Sequence, residues 1–197
     1  MKTNALDFKQ WFDQEYFQVL KFDQPEMKSA YERLHSDFAT FLVREFKPQS
    51  MVELGSGMGS FLASMNNLGV DSVGYDINPF HKEFFDGEHP AYADKYLLKD
   101  FTHHSIKLPE ADLYVSVEVL EHITMDKVKK VLTKIAPKCS YFYFTSTPNR
   151  FEGDEDWGHI NINSREEWIA AFEECGFEFV RDDRAIVSWG LIFKGLK

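Results

Sequence analysis

Residues Val52–Phe61 read VELGSGMGSF. A short apolar run, Met51 to Leu54, meets three glycines at alternate positions, Gly55, Gly57 and Gly59, and an amphipathic segment follows. Glycine at such a junction permits positive φ and lets bare backbone amides approach a ligand. The pattern is a strand, a tight loop and a helix start. It is not the dinucleotide fingerprint, because Ser60 stands where the third glycine of G-x-G-x-x-G belongs and the carboxylate of Glu53 precedes the loop. Nor is it a P-loop, since no Lys-Ser/Thr pair follows.

On either side of this loop the chain has two characters. Up to about residue 48 it reads as helix, in two periodic stretches, Leu6 to Leu20 and Met27 to Phe46, the second stopped by Pro48. From Met51 short apolar runs alternate with amphipathic segments. DSVGYD, KYLLKD, ADLYVSV and CSYFYFTS read as strands, with helices at GSFLASMNNLG, FHKEFF and TMDKVKKVLTKIA between them. Ser164 and Glu167 form an S-x-x-E capping box that opens the helix REEWIAAFEEC, which Gly176 stops. FEFVRD and AIVSWGLIFK then follow with almost nothing between them, an antiparallel pair. The expected fold is therefore α/β: a Rossmann-like, seven-stranded, mostly parallel sheet with an antiparallel C-terminal hairpin, helices on both faces and an N-terminal helical cap. With no linker-like tract, residues 1–197 are expected to form one domain, a cap over 1–48 and a ligand-binding core over 49–197.

Composition narrows the partners. The 22 Lys and Arg stand against 32 Asp and Glu, a formal charge of −10, which repels polyanions at long range. Lys127, Lys129, Lys130, Lys134 and Lys138 cluster locally, but at the spacing of the solvated face of a helix whose Val128, Val131, Leu132 and Ile135 point inward. A nucleic-acid partner is disfavoured. No stretch approaches the roughly 20 apolar residues of a membrane span, and the N-terminus has no apolar signal core. Two cysteines, Cys139 and Cys175, are too few for a disulfide framework. A cytoplasmic protein with reduced thiols and no membrane contact is expected; the oligomeric state has no signature in the sequence.

Ligands of such sheets bind at the carboxyl ends of the strands. Asp76 ends the second strand in VGYDINP, where a carboxylate can chelate both hydroxyls of a ribose. Asp100 and Phe101 end the third, placed to meet an adenine by hydrogen bond and ring face. Acidic groups around a glycine loop fit a nucleoside with a positive attachment rather than a phosphate, which describes S-adenosylmethionine (SAM). The order and spacing of VELGSGMGSF, VGYDINP, KDF and ADLYVSVEVLEHI resemble the class I SAM-dependent methyltransferases from about Met51 to the C-terminus. The resemblance implies that Glu53, Gly55, Gly57 and Gly59 hold the methionine end of the cofactor, Asp76 the ribose, and Asp100 with Phe101 the adenine. It adds Ser56, Ile77, Asn78 and Val117 as further cofactor-binding residues. In this family the N-terminal segment commonly covers the cofactor, which would bring Tyr31 or His35 to its carboxylate, while helical spacing makes core packing the expected role of most aromatics of the cap.

The fourth strand runs into VSVEVLEHIT, Val115–Thr124, in which Glu118, Glu121 and His122 fall at i, i+3 and i+4, one face if the segment is helical. The fifth strand runs into STPNRFEGDEDWGHIN, with Asn149, Arg150, Asp156, Trp157 and His159. Adjacent strands bring these loops together, so Glu118, Glu121, His122 and His159 can offer two carboxylates and two imidazoles to one octahedral cation, Mg2+ or Mn2+. Two other roles stand beside that one: His122 as a metal-free general base, and a purely structural helix start. His103 and His104 read as an exposed turn. E-x-x-E-H with a later histidine after TPN resembles the metal-assisted methyltransferases of small-RNA termini and the O-methyltransferases of ubiquinone biosynthesis. The expected function is SAM-dependent O-methylation of a small hydroxylated or saccharide-like acceptor, with His122, Glu118 and His159 as catalytic candidates. Its rivals are RNA ribose methylation and a non-catalytic SAM-binding module.

Overall fold

A computed structural model describes residues 24–146, 158–183 and 190–196. The expected helix over Leu6–Leu20, the acidic loop with Asn149, Arg150, Asp156 and Trp157, and the first half of AIVSWGLIFK lie outside them. The chain enters through α1 (Pro25–Phe46), whose proline sits in the first turn, where a missing amide costs nothing. Lys47 closes it in the left-handed conformation just ahead of Pro48. Then come β1 (Ser50–Leu54), α2 (Ser60–Asn67), β2 (Asp71–Asp76), α3 (Pro79–Glu88), β3 (Tyr96–Leu98) and β4 (Ala111–Val117). They are followed by α4 (Met125–Ile135), β5 (Cys139–Thr145), α5 (Arg165–Glu174), β6 (Phe177–Asp183) and β7 (Gly190–Gly195).

The seven strands form one sheet in the order β3-β2-β1-β4-β5-β7-β6. β1 to β5 are parallel neighbours, whereas β7 runs antiparallel to both β5 and β6. The order reverses between β1 and β4, so the crevice for a ligand opens at the carboxyl ends of those two strands.

Period-two alternation puts successive side chains on opposite faces. Val52, Tyr114, Phe142 and Phe144 pack with Val128, Val131 and Leu132 of α4 and Trp168 and Phe172 of α5. Met51, Leu113, Val115 and Tyr143 pack on the other face with Phe38 and Leu42 of α1, Phe61 and Leu62 of α2 and Phe85 of α3. Each such large apolar side chain contributes roughly 1.5–3 kcal/mol by leaving water. The aromatics are thus core: Phe38 lies 4.9 Å, centroid to centroid, from both Phe61 and Tyr143, and Phe172 stacks on Phe193 at 4.0 Å. The Ser164–Glu167 capping box is present in both directions at α5. Lys129 pairs with Glu174, Lys130 with Asp126, and Lys138 donates to the Leu108 carbonyl, as a solvated face requires. Cys139 and Cys175 are buried and share no disulfide. Among the described residues no helix is long and apolar enough to cross a membrane.

Two local expectations need correction. KYLLKD gives only three strand residues, because Pro90 starts a 3-10 turn that runs to Lys95. VSVEVLEH is not one helical face: Glu118 has φ +52°, and only Leu120–His122 forms a single 3-10 turn before α4. A left-handed residue breaks the i, i+3, i+4 register at its first member.

Candidate active site

The glycine loop leaves β1 under tight steric control. Gly55, Gly57 and Gly59 all have positive φ. A β-carbon on Gly55 would stand 2.4 Å from Val119, and one on Gly59 2.1 Å from Phe85, so neither position accepts a side chain. The amides of Gly55 and Ser56 donate to the Tyr75 carbonyl at 2.8 and 3.1 Å, tying the loop to β2. Beneath it Glu53 is only 6% exposed. Burial first, then the charge of Asp76, pushes its carboxyl well above the ordinary range, with the Ser56 hydroxyl opposing the shift. A cationic ammonium group arriving at this end of the crevice would meet a carboxyl able to ionise in response.

Asp76 closes β2 with both oxygens oriented. Oδ2 accepts from the Gly57 amide at 2.8 Å and Oδ1 from the Asn78 amide at 2.9 Å, and His81 Nδ1 stands 3.7 Å from Oδ1. A carboxylate has about four lone-pair sites, so acceptor capacity remains for two ribose hydroxyls. Asn78 itself is buried and caps α3, its side chain accepting from the Phe80 amide. Ile77 is 52% exposed at the same strand end, while Val117 is half-buried at the end of β4. Asp100 is exposed and holds its own turn through Thr102, whereas Phe101 is 5% exposed and belongs to the core cluster. His103 and His104 are exposed beyond them. On α1, His35 meets the Ser60 hydroxyl, 2.7 Å away, at the mouth of α2.

The second half of the site follows β4 and β5. Glu118, strained at φ +52°, donates its amide to the Thr145 carbonyl and hydroxyl at 3.3 and 3.2 Å, which fixes the turn to the end of β5. Backbone strain of this kind gathers at functional sites. Glu121 is fully buried, and burial, followed by the neighbouring Glu118 charge, raises its carboxyl well above the usual range. Its own amide and the Ser146 hydroxyl oppose the shift, although among the described residues neither oxygen meets a donor in full hydrogen-bonding geometry. The segment after the undescribed loop docks directly on this turn: Ile160 and Asn161 both donate their amides to the Glu121 carbonyl at 2.9 Å, and Asn161 Nδ2 donates to the Leu120 carbonyl at 3.3 Å. His122 Nδ1 donates to the Gly158 carbonyl at 3.3 Å. That bond leaves Nε2 as the nitrogen with the lone pair in the neutral ring. Glu121, His122 and His159 consequently place one ligand atom each within 4.8 Å of one another. Glu118 is not part of that set, although its charge acts on Glu121. Asn161, which no motif flagged, is the side chain that helps seat the histidine loop. Its only trace in the sequence is its place in HININ, two residues after His159.

A doubly wound sheet with an antiparallel final pair, a glycine loop at the switch point and an acidic residue ending β2 defines the class I methyltransferase architecture. The methyltransferase-domain family matches residues 24–182, and the chain belongs to that family; it is a SAM-dependent methyltransferase. Among solved structures, it is similar to a chain in the complex of the Haloferax volcanii Trm112 methyltransferase activator with a methyltransferase, at 15% identity and TM-score 0.71, covering 97% of this chain and 98% of that one. It also resembles the magnesium protoporphyrin IX methyltransferase of Synechocystis PCC 6803 with bound S-adenosylhomocysteine, at 13% identity and TM-score 0.70, covering 96% and 98%. A third likeness is to the N-methyltransferase NodS of Bradyrhizobium japonicum, at 16% identity and TM-score 0.64, covering 84% and 98%. At such identities these likenesses bear on fold alone. No curated protein matches the chain in sequence.

Proposed function

We propose that this methyltransferase transfers the methyl group of SAM to an oxygen of a small hydroxylated or saccharide-like acceptor, in the cytoplasm, with a Mg2+ or Mn2+ ion held by Glu121, His122 and His159 and with Glu118 beside them. One observation carries the reading: the ligand atoms of those three residues converge within 4.8 Å at the end of β4, around a buried carboxyl whose oxygens meet no donor in good hydrogen-bonding geometry among the described residues. A carboxyl so placed is costly in isolation, and a hard cation bound by oxygen and imidazole relieves it. Such an ion would lower the pKa of an acceptor hydroxyl and orient it.

The chain's own groups do the rest. The glycine loop and Glu53 take the methionine end of SAM, Asp76 the ribose hydroxyls, and the Asp100–Phe101 turn the adenine. The acceptor oxygen then lies on the side of the crevice formed by the 118–122 turn, in line with the sulfonium. As the O–CH3 bond forms and the S–CH3 bond breaks, S-adenosylhomocysteine leaves with the electron pair and the hydroxyl proton passes to the Glu118 carboxylate or to water, since His122 and His159 would have their lone pairs on the cation; with no cation bound, His122 would take it. The charge of −10 favours a small acceptor over RNA.

The test is calorimetric titration of Mg2+ and Mn2+ into metal-stripped protein saturated with S-adenosylhomocysteine, with His159→Ala alongside. Stoichiometric binding that His159→Ala abolishes is the expected result. Absence of binding in the unaltered protein would overturn the cation site and leave His122 as a metal-free base.

A further inference from the structure

We infer that Tyr96 is a positioning residue for the cofactor's ribose: it grips the same loop residue that orients Asp76, and so sets the carboxylate that chelates the two hydroxyls. The inference rests on the reading of Asp76 as the ribose ligand. Gly57 is the loop position that packing controls least. At Gly55 and Gly59 the neighbouring Val119 and Phe85 fix the backbone by contact, whereas none of the described residues lies within 4 Å of where a β-carbon on Gly57 would be. Two hydrogen bonds hold Gly57 instead. Its amide donates to Asp76 Oδ2 at 2.8 Å, and its carbonyl accepts from the Tyr96 hydroxyl at 2.8 Å. The carboxylate and the phenol therefore hold the two polar ends of one residue with φ +50°.

The fold makes Tyr96 a rigid support. It begins β3, opposite Gly74 of β2, whose missing side chain leaves the space that Ser56 occupies. Its ring is 1% exposed and packs against Phe85 at 5.1 Å between centroids, the same Phe85 that closes under Gly59. Burial, then the charges of Asp76, Glu53 and Asp86, hold its hydroxyl protonated, so that it remains a donor. A phenylalanine would fill the volume equally well, so packing alone does not account for the hydroxyl.

The experiment measures binding of S-adenosylhomocysteine and of adenosine to the full chain and to Tyr96→Phe, Asp76→Asn and the double variant, with melting curves of the unliganded proteins. Tyr96→Phe is expected to weaken both ligands about three- to tenfold, the size of one net hydrogen bond. If Tyr96 acts through Asp76, the double variant binds no more weakly than Asp76→Asn alone. Gly57→Ala disturbs the same residue from within, and adding Tyr96→Phe to it should likewise cost nothing further. Unchanged affinity in Tyr96→Phe, or penalties that simply add, would overturn the inference and leave Tyr96 a core tyrosine. Full affinity in Asp76→Asn would instead remove the ribose reading itself.

Discussion

His122 and His159 face each other with ring centroids 4.8 Å apart and planes tilted by 58°. Neither strand carries them. His122 ends the 3-10 turn after β4, and His159 arrives on the segment that leads towards α5. Their approach depends on the Glu121 carbonyl, which accepts the amides of both Ile160 and Asn161, and on the Leu120 carbonyl, which accepts from Asn161 Nδ2. Two backbone amides and one side-chain amide thus hold the histidine segment against the turn after β4.

Asn161→Ala should then separate assembly from chemistry. It removes the bond to Leu120 and the one that Asn163 Nδ2 makes to Asn161 Oδ1. The expected stability loss is about 1–2 kcal/mol by urea unfolding. Cation affinity should fall about tenfold or more as His159 loses its seat, while S-adenosylhomocysteine affinity stays within about twofold. Loss of stability with unaltered cation binding would mean that the side chain of Asn161 does not place His159.

Glu118 is a non-glycine residue in the left-handed region, a conformation that costs roughly 1–2 kcal/mol for an L side chain. Glu118→Gly relieves that cost and Glu118→Ala does not, though both remove the carboxylate. The glycine variant should be more stable than the alanine variant by about 1 kcal/mol in urea unfolding, after the entropy of glycine in the unfolded chain is counted. Both should lose most of their turnover. An alanine variant as stable as the glycine one would show that the turn stores no strain.

Much of this architecture was legible because its signals are local. Gly55, Gly57 and Gly59 mark the loop by residue type, Ser164 and Glu167 mark a helix start, and the apolar alternation of ADLYVSV marks a strand. Other features had no local signature. Pro90 shortens β3 through a turn whose 3-10 form no residue pattern announced. Glu118 adopts φ +52° without the glycine or asparagine that usually advertises it, since the amide bonds to Thr145 on another strand enforce it. The docking of Ile160 and Asn161 on Glu121 uses amides that every residue possesses. Phe101 reads as an adenine platform by position, and nothing local in KDF announces that its ring is 5% exposed and belongs to the same core cluster as Leu108 and Tyr114. The grip of Tyr96 on Gly57 was invisible for the same reason, being a side chain reaching a carbonyl two strands away.

His35 supplies the pH dependence. Burial of its ring, bonded to the Ser60 hydroxyl, lowers its pKa from 6.5 to about 4. The unfolded chain therefore takes up this proton more readily than the folded one, and stability is lost as pH falls from about 6.5 towards about 4. Above pH 6.5 the group is neutral in both states and contributes no slope. Integrated over the window, the effect amounts to at most about 3 kcal/mol. His35→Asn keeps a side chain that can bond Ser60 but does not titrate. The difference in unfolding free energy between the two proteins, measured from pH 7.5 down to pH 4, should move in favour of the variant by about 2–3 kcal/mol. A difference that stays flat across that range would mean that the His35 ring charges within the folded protein, with α1 lifting from the mouth of α2 to let water reach it.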